Sequence, residues 1–368
     1  MFDRRLITNF DWPLFLLTLL ITVVGLVTLY SASLEEGGQA DHVFTKQIYW
    51  LIYGLIAMAV VLAIDYHYLA RTAYLLYAAT IIGLVAVAMT GKVISGAQRW
   101  LKIGSMTFQV SEMAKLSLTV VLARYFSEGK GDRQYYYLKD LIVPCLLILV
   151  PFALIVKQPD LGTALLFVII SFAIVFVIEM NFASMIKLMS AGTVAVFSMW
   201  FFLKDYQKNR LMNLFSPEQD PLGTGYHAIQ SKIAIGSGGV LGKGLFAGTQ
   251  SRLNFLPEKH TDFIFSVFAE ETGFVGSLLL IILYVIFLVR CFQVISRSKD
   301  RFGVLLATGI IASFSCYIIL NIGMTVGLFP IVGVPLPLMS YGGSSLITTF
   351  IGVGLLLNIK MRRFIELR

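Results

Sequence analysis

Apolar runs long enough to cross a hydrocarbon core of roughly 30 Å recur from one end of the chain to the other. Ten stand out, over Trp12–Ser31, Ile48–Ile64, Ala73–Met89, Phe108–Tyr125, Leu141–Val156, Leu161–Ile178, Ala183–Leu203, Phe263–Arg290, Phe302–Val326 and Tyr341–Lys360. Several are interrupted by glycine or a polar residue, which blurs their ends. The pattern predicts an all-α integral membrane protein of about ten transmembrane helices, a single polytopic domain over residues 1–368. The longest polar interval, residues 204–262, falls between spans seven and eight and reads as a large loop within that domain.

Composition excludes the soluble alternative: 57% of the 368 residues are hydrophobic, and mean hydropathy is +0.81. A net charge of +8 would suit nucleic acid, but its distribution points to topology instead. With the N-terminus inside, the inner loops hold Arg4, Arg5, Arg71, Arg124, Lys130, Arg133, Lys139, Lys187, Arg290, Arg297, Lys299 and Arg301, and the tail adds Lys360, Arg362, Arg363 and Arg368. The outer loops are poorer, with Lys46, Lys92, Arg99, Lys102 and Lys157. That asymmetry puts both termini in the cytoplasm and the 204–262 loop outside. Met1–Phe10 is basic, but no small-residue cleavage pattern follows, so the first span reads as a retained helix. Cys145, Cys291 and Cys316 lie in spans or at their ends without a pairing motif, as small packing residues do.

The polar intervals carry the candidate chemistry. An acidic loop with Glu35, Glu36 and Asp41 joins the first two spans. The interval Gly91–Thr107 reads as an outer loop, with Trp100 as an interface anchor and Arg99 as a contact for a lipid phosphate. In the fourth span Glu112 and Lys115 are three apart on one helix face and must point to protein or water. They form either a polar cavity or a salt bridge gluing two helices. Asp160 follows Pro159 in a very short turn and is placed to cap span six, with a share in the site open. Pro217–Gly223 reads as turns and Tyr226–Ile235 as a short interfacial helix. Gly236–Gly244 has the glycines of a phosphate loop but the wrong spacing to Lys243, and Gly244 replaces the required hydroxyl residue; it reads as a flexible segment. The proline-rich Phe329–Met339 cannot form a regular helix and reads as re-entrant or interfacial backbone.

One junction gathers the most polar groups. Pro257-Glu258-Lys259-His260-Thr261-Asp262 stands directly against the apolar run from Phe263. A carboxylate there loses solvent without entering lipid, which suits a functional site, although Thr261 or Asp262 would also serve as a helix cap.

Together these stretches resemble the SEDS family (shape, elongation, division and sporulation proteins), and within it the rod-shape members. The matching pieces are Gly96–Leu101, Phe108–Lys115, Gln158–Thr163, Asp220–Gly244, Leu256–Glu271 and Gly333–Ser345, with Val110 standing where the family usually has proline. The resemblance implies a glycosyltransferase that polymerises lipid II into peptidoglycan strands for cell-wall elongation, on the outer face of the cytoplasmic (inner) membrane. It also implies partnership with a class B penicillin-binding protein transpeptidase and with membrane proteins of the elongation complex, and none with nucleic acid.

Asp262 is then assigned as general base. Lys115, Glu112, Arg99, Asp160, Arg210, Lys259, His260 and Thr261 are assigned to substrate, Lys115 either orienting Asp262 or meeting pyrophosphate. A divalent cation, Mg²⁺ or Mn²⁺, would neutralise the pyrophosphate, but His42, His67, His227 and His260 show no ligand spacing, so no cofactor is assigned. A lipid II flippase and a non-catalytic scaffold are the alternatives. A flippase calls for charge through the full membrane depth, whereas the polar residues here gather toward one side.

Overall fold

The computed structural model describes residues 8–34, 42–94, 97–103, 106–129, 135–220, 223–252, 255–256 and 258–363. Glu35, Glu36, Asp41, Gly96, Pro221, Pro257, Lys130, Arg133 and the terminal Arg4, Arg5 and Arg368 lie outside them.

All ten predicted spans are helices. They are α1 (Trp12–Ala32), α2 (His42–Ala63), α3 (His67–Thr90), α4 (Val110–Glu128), α5 (Ile142–Lys157), α6 (Leu161–Val177) and α7 (Phe182–Phe202). Two helices of the long loop follow, α8 (Asp205–Phe215) and α9 (Thr224–Ser237), then α10 (Ile264–Arg297), α11 (Arg301–Val326) and α12 (Gly343–Met361). Eight are long and apolar enough to cross a membrane. The other two are α6, only 17 residues long, and α4, which carries Glu112 and Lys115. Side-chain caps set several starts: Asp11 accepts from the Leu14 amide, Asn181 from Ala183 and Ser184, and Asp300 from Gly303. Gly327, left-handed at φ 81°, ends α11.

Polar α4 is tolerable because it is enclosed. With α11 and α12 it forms the centre of the bundle, while α2, α3, α5 and α7 turn broad apolar faces outward. Close approach relies on small residues, since a Cβ at Gly54 would sit 2.8 Å from the Phe350 ring. Cys291 is buried and Cys145 exposed, and all three cysteines are free thiols.

The structure departs from the expected pattern in three places. Residues 91–107 are not an irregular loop but contain a three-stranded antiparallel sheet, β1 (Lys92–Ile94), β2 (Ala97–Ile103) and β3 (Met106–Phe108), in that order. Leu101 pairs with Phe108, Lys102 with Thr107 and Ile103 with Met106. Second, α9 runs two residues past Tyr226–Ile235 at each end, over Thr224–Ser237, and is partly buried against protein. It packs on α10 and α11, where Ser231 shares a hydrogen bond with Ser266 (2.7 Å) and donates to the Thr325 carbonyl (2.7 Å). Third, the glycine segment is pinned rather than flexible. Lys243 and Gly244 amides donate to the Glu270 and Glu271 carbonyls, and Phe274 and Val275 amides donate to Gly239 and Val240. The contact interrupts α10 at Gly273 (φ 67°), and a Cβ at Gly242 would meet the Glu271 carbonyl at 2.1 Å. Glu270 draws the segment in further by accepting from Lys243 Nζ (2.7 Å) and from the amides of Thr249 (2.8 Å) and Gln250 (3.0 Å).

The segment between α11 and α12 is irregular and covered by protein. Val334, Leu336, Leu338 and Met339 are buried, Met339 against Gly25 of α1, and Tyr284 donates to the Pro337 carbonyl at 2.6 Å.

Candidate active site

The turn before α10 is built on one carbonyl. The amides of Thr261, Asp262 and Phe263 all reach the Glu258 oxygen, at 3.1, 3.2 and 3.4 Å. Phe263 is the N-cap of α10, and among the described residues no side chain caps that end. The capping alternative therefore fails for both Thr261 and Asp262; Thr261 Oγ1 instead donates to Glu258 Oε2 at 3.2 Å.

The Asp262 carboxylate turns toward the segment after α11. A Cβ at Gly333 would lie 3.2 Å from Asp262 Oδ2, and that position has φ +67°. Burial raises the Asp262 carboxyl to about 7, helped by the neighbouring Glu258 charge and opposed by the Thr261 hydrogen bond, Arg210 and Arg99. Burial outweighs the cations, so the group titrates near neutrality, where a general base works best. His227 of α9 stacks on Phe263, with centroids 6.2 Å apart, and burial holds its pKa below the usual imidazole value.

Three successive carbonyls are each held from another element. Tyr341 N donates to His260 (2.8 Å), Ser340 Oγ to Thr261 (2.6 Å) and Asn321 Nδ2 to Asp262 (2.9 Å). Gln47 of α2 in turn donates to the Ser340 carbonyl at 3.1 Å.

The other assigned residues fall into two groups. Around Asp262 lie Lys259, His260, Thr261 and the two arginines that act on its charge. Arg99, on β2, is committed to the turn before α6: it pairs with Asp160 (3.5 Å) and donates to the carbonyls of Gln158 and Pro159. Asp160 caps α6 as expected, accepting from the Thr163 amide at 3.2 Å. Arg210 of α8 lines an apolar cavity of about 390 Å³ with Gly162, Leu165, Phe197, Trp200 and Val332.

Glu112 and Lys115 form a second centre inside the bundle. Lys115 Nζ lies 2.7 Å from Glu112 Oε1, which also accepts from Tyr317 at 2.8 Å, and the ammonium sits 4.2 Å above the Tyr317 ring. A cavity of about 30 Å³ adjoins them, bordered by Thr119, Ser313 and Thr348. It has room for roughly two waters. Among the described residues no hydrogen bond or ion pair joins either residue to Asp262, so the expected orientation of Asp262 by Lys115 is not seen. Nor do three carboxylate, histidine or cysteine side chains come together as a cation cage among the described residues.

Sequence reasoning missed Tyr317, Asn321, Ser340 and Gln47. Tyr317 and Asn321 are four apart in an apolar helix, hence on one face, which was a usable signal. Ser340 and Gln47 act through pairings 79 and 293 residues apart, which no local pattern encodes.

A family model described as a cell cycle protein, for FtsW, RodA and SpoVE, matches residues 11–364. The peptidoglycan glycosyltransferase MrdB of Escherichia coli (strain K12) is 41% identical over 360 residues, 96% of this chain and 94% of the relative. The peptidoglycan glycosyltransferase RodA of Treponema pallidum (strain Nichols) is 32% identical, covering 98% of this chain and 99% of its own. Among solved structures, a chain of a peptidoglycan synthase complex that coordinates polymerisation and crosslinking superposes with a TM-score of 0.83. It is 32% identical and covers 97% of this chain and 99% of its own. The rod shape determining protein RodA of Thermus thermophilus superposes with a TM-score of 0.73, at 30% identity over 97% of this chain and 98% of its own.

Proposed function

The chain belongs to the FtsW/RodA/SpoVE family and is a peptidoglycan glycosyltransferase, and we propose that Asp262 is its general base. It is a multi-pass membrane protein whose substrate is lipid II, a disaccharide peptide on undecaprenyl pyrophosphate. The observation that carries the proposal is the half-buried Asp262 carboxylate, raised to about 7 yet flanked by Arg210 and Arg99.

Inverting transfer needs a hydroxyl of the acceptor sugar to attack the donor carbon opposite its pyrophosphate. The new carbon–oxygen bond forms as the bond to pyrophosphate breaks, and the hydroxyl proton passes to Asp262. Undecaprenyl pyrophosphate departs with the bonding electrons. Its developing charge falls to cations: Arg210, which lines the apolar cavity, and Lys259, beside Asp262 in the turn before α10, are assigned to it. Arg99 and Asp160 act on substrate by bracing the turn that walls this cavity. Glu112 and Lys115 support the bundle beneath. The positive-inside asymmetry supports a site on the outer face, and the likeness to a synthase that couples polymerisation to crosslinking supports a transpeptidase partner.

The test is polymerisation of labelled lipid II by purified protein, with and without a class B transpeptidase. Glycan strands from wild type and almost none from Asp262→Asn are expected. Translocation of lipid II without polymer would favour the flippase.

A further inference from the structure

Asn321 contributes a side chain that local stability does not explain. It lies on α11, is fully buried, and its Nδ2 donates at once to the Asp262 carbonyl (2.9 Å) and the Val334 carbonyl (2.7 Å). Two carbonyl acceptors fix which end of the amide faces them, because the amide oxygen in that place would meet oxygen. That orientation leaves Oδ1 buried without a hydrogen-bond partner among the described residues. An unpaired buried acceptor is unfavourable, and such defects persist where geometry matters more than stability.

The two carbonyls flank the reacting group. Asp262 is the residue whose carboxylate must be aimed, and Val334 follows Gly333, against which that carboxylate rests. One amide thus ties together the backbone that carries the carboxylate and the backbone that walls it. Ser340 reinforces the tie one residue earlier, donating to the Thr261 carbonyl (2.6 Å) while accepting from the Leu336 amide (2.8 Å).

We propose that Asn321 is a positioning residue for the glycosyl-transfer step, setting the Asp262 carboxylate against Gly333 by clamping the backbone on both sides, with Ser340 as its second point of attachment. This rests on Asp262 being the general base. It adds that the aim of the carboxylate is set from α11 and the segment after it, not by a charged partner. Displacement by about 1 Å is enough to lower a rate roughly 100-fold, so the clamp acts on turnover and not on substrate affinity.

The experiment is a double-mutant cycle on purified protein, with lipid II polymerisation followed under single-turnover conditions at high enzyme concentration. Asn321→Ala is expected to lower the rate constant about 10- to 100-fold with little change in the lipid II concentration for half-saturation. In the Asp262→Asn background the same substitution is expected to change the residual rate less than 2-fold, because no base remains to be aimed. Equal factors in both backgrounds would overturn the clamp and leave Asp262 as base, showing only a general structural role for Asn321. A near wild-type rate for Asp262→Asn alone would remove the base itself, and the clamp with it. Should Asn321→Ala fail to fold, Ser340→Ala, which removes one hydroxyl, is put through the same cycle with the same two outcomes.

Discussion

Replacing Asp262 with asparagine should separate activity from stability, in opposite directions. The substitution keeps the size of the side chain and removes its charge. In the native protein the carboxyl titrates near 7 against an ordinary value of 3.8, with burial as the main cause. As pH rises from 4, the unfolded chain loses this proton first, while the folded chain keeps it until about pH 7. A raised carboxyl therefore stabilises the fold at low pH, and that contribution is lost progressively as pH climbs to about 7. At about 1.4 kcal/mol per pKa unit, the loss amounts to a few kcal/mol by pH 8. Asparagine never ionises, so Asp262→Asn should melt above wild type at pH 8, with the gap closing toward pH 4. Activity moves the other way. The wild-type rate should rise with pH along an acidic limb centred near 7, and the variant should fall roughly 10²- to 10⁴-fold. Asp262→Glu should recover little, since the added methylene displaces the carboxylate. Melting curves and glycan yield from one detergent preparation between pH 5 and 8.5 provide both readouts. A variant that polymerises at near wild-type rate, or a melting difference independent of pH, would refute the reasoning.

Other outcomes are expected. Lys115→Met should destabilise the protein by about 3–5 kcal/mol by leaving Glu112 buried and uncompensated, while the pair Glu112→Gln/Lys115→Met should recover most of that loss in thermal melts. If the double variant melts as low as the single one, charge pairing is not what holds this centre. Gly333→Ala places a Cβ 3.2 Å from Asp262 Oδ2 at φ +67°, so glycan synthesis should fall more than the melting temperature does; the reverse order would argue against a wall role. Gly242→Ala, with φ +81° and a 2.1 Å clash against the Glu271 carbonyl, should show its effect in folding yield. Reporters placed after Arg368 and near Asp132 should read cytoplasmic and one near Gln219 external, and an external signal at Asp132 would overturn the span order.

The helices were legible because each membrane-crossing segment states its own length and polarity. α4 could be read despite Glu112 and Lys115, since the pair marks one inward face. What escaped was whatever depends on a short period or a distant partner. The strand Ala97–Ile103 is only 7 residues long and its polar and apolar positions do not alternate regularly, so it does not stand out beside much longer apolar runs. The role of Asp160 was local, a cap to the Thr163 amide, and was found; its pairing with Arg99 joins residues 61 apart and was not foreseen. Asp262 could be singled out from its place at a polar–apolar junction. What aims it could not, because Asn321 and Ser340 reach it through backbone carbonyls, which every residue has alike.

The break in α10 has a consequence for how the enzyme lives in bilayers of different thickness. At 1.5 Å per residue, the 34 residues of α10 would make a rod of about 51 Å, well beyond a hydrocarbon core of roughly 30 Å. Gly273 divides it, and the stretch from Phe274 to Arg297, about 36 Å long, suffices to span with a modest tilt. The glycine segment grips both sides of the break: its Lys243 and Gly244 amides donate to the Glu270 and Glu271 carbonyls of the short arm from Ile264 to Thr272, and its Gly239 and Val240 carbonyls accept from the Phe274 and Val275 amides of the long arm. Where a thinner or thicker membrane tilts the long arm, the tilt bears first on this gripped junction. The glycine segment is thus the element through which bilayer thickness meets the short arm that follows Asp262.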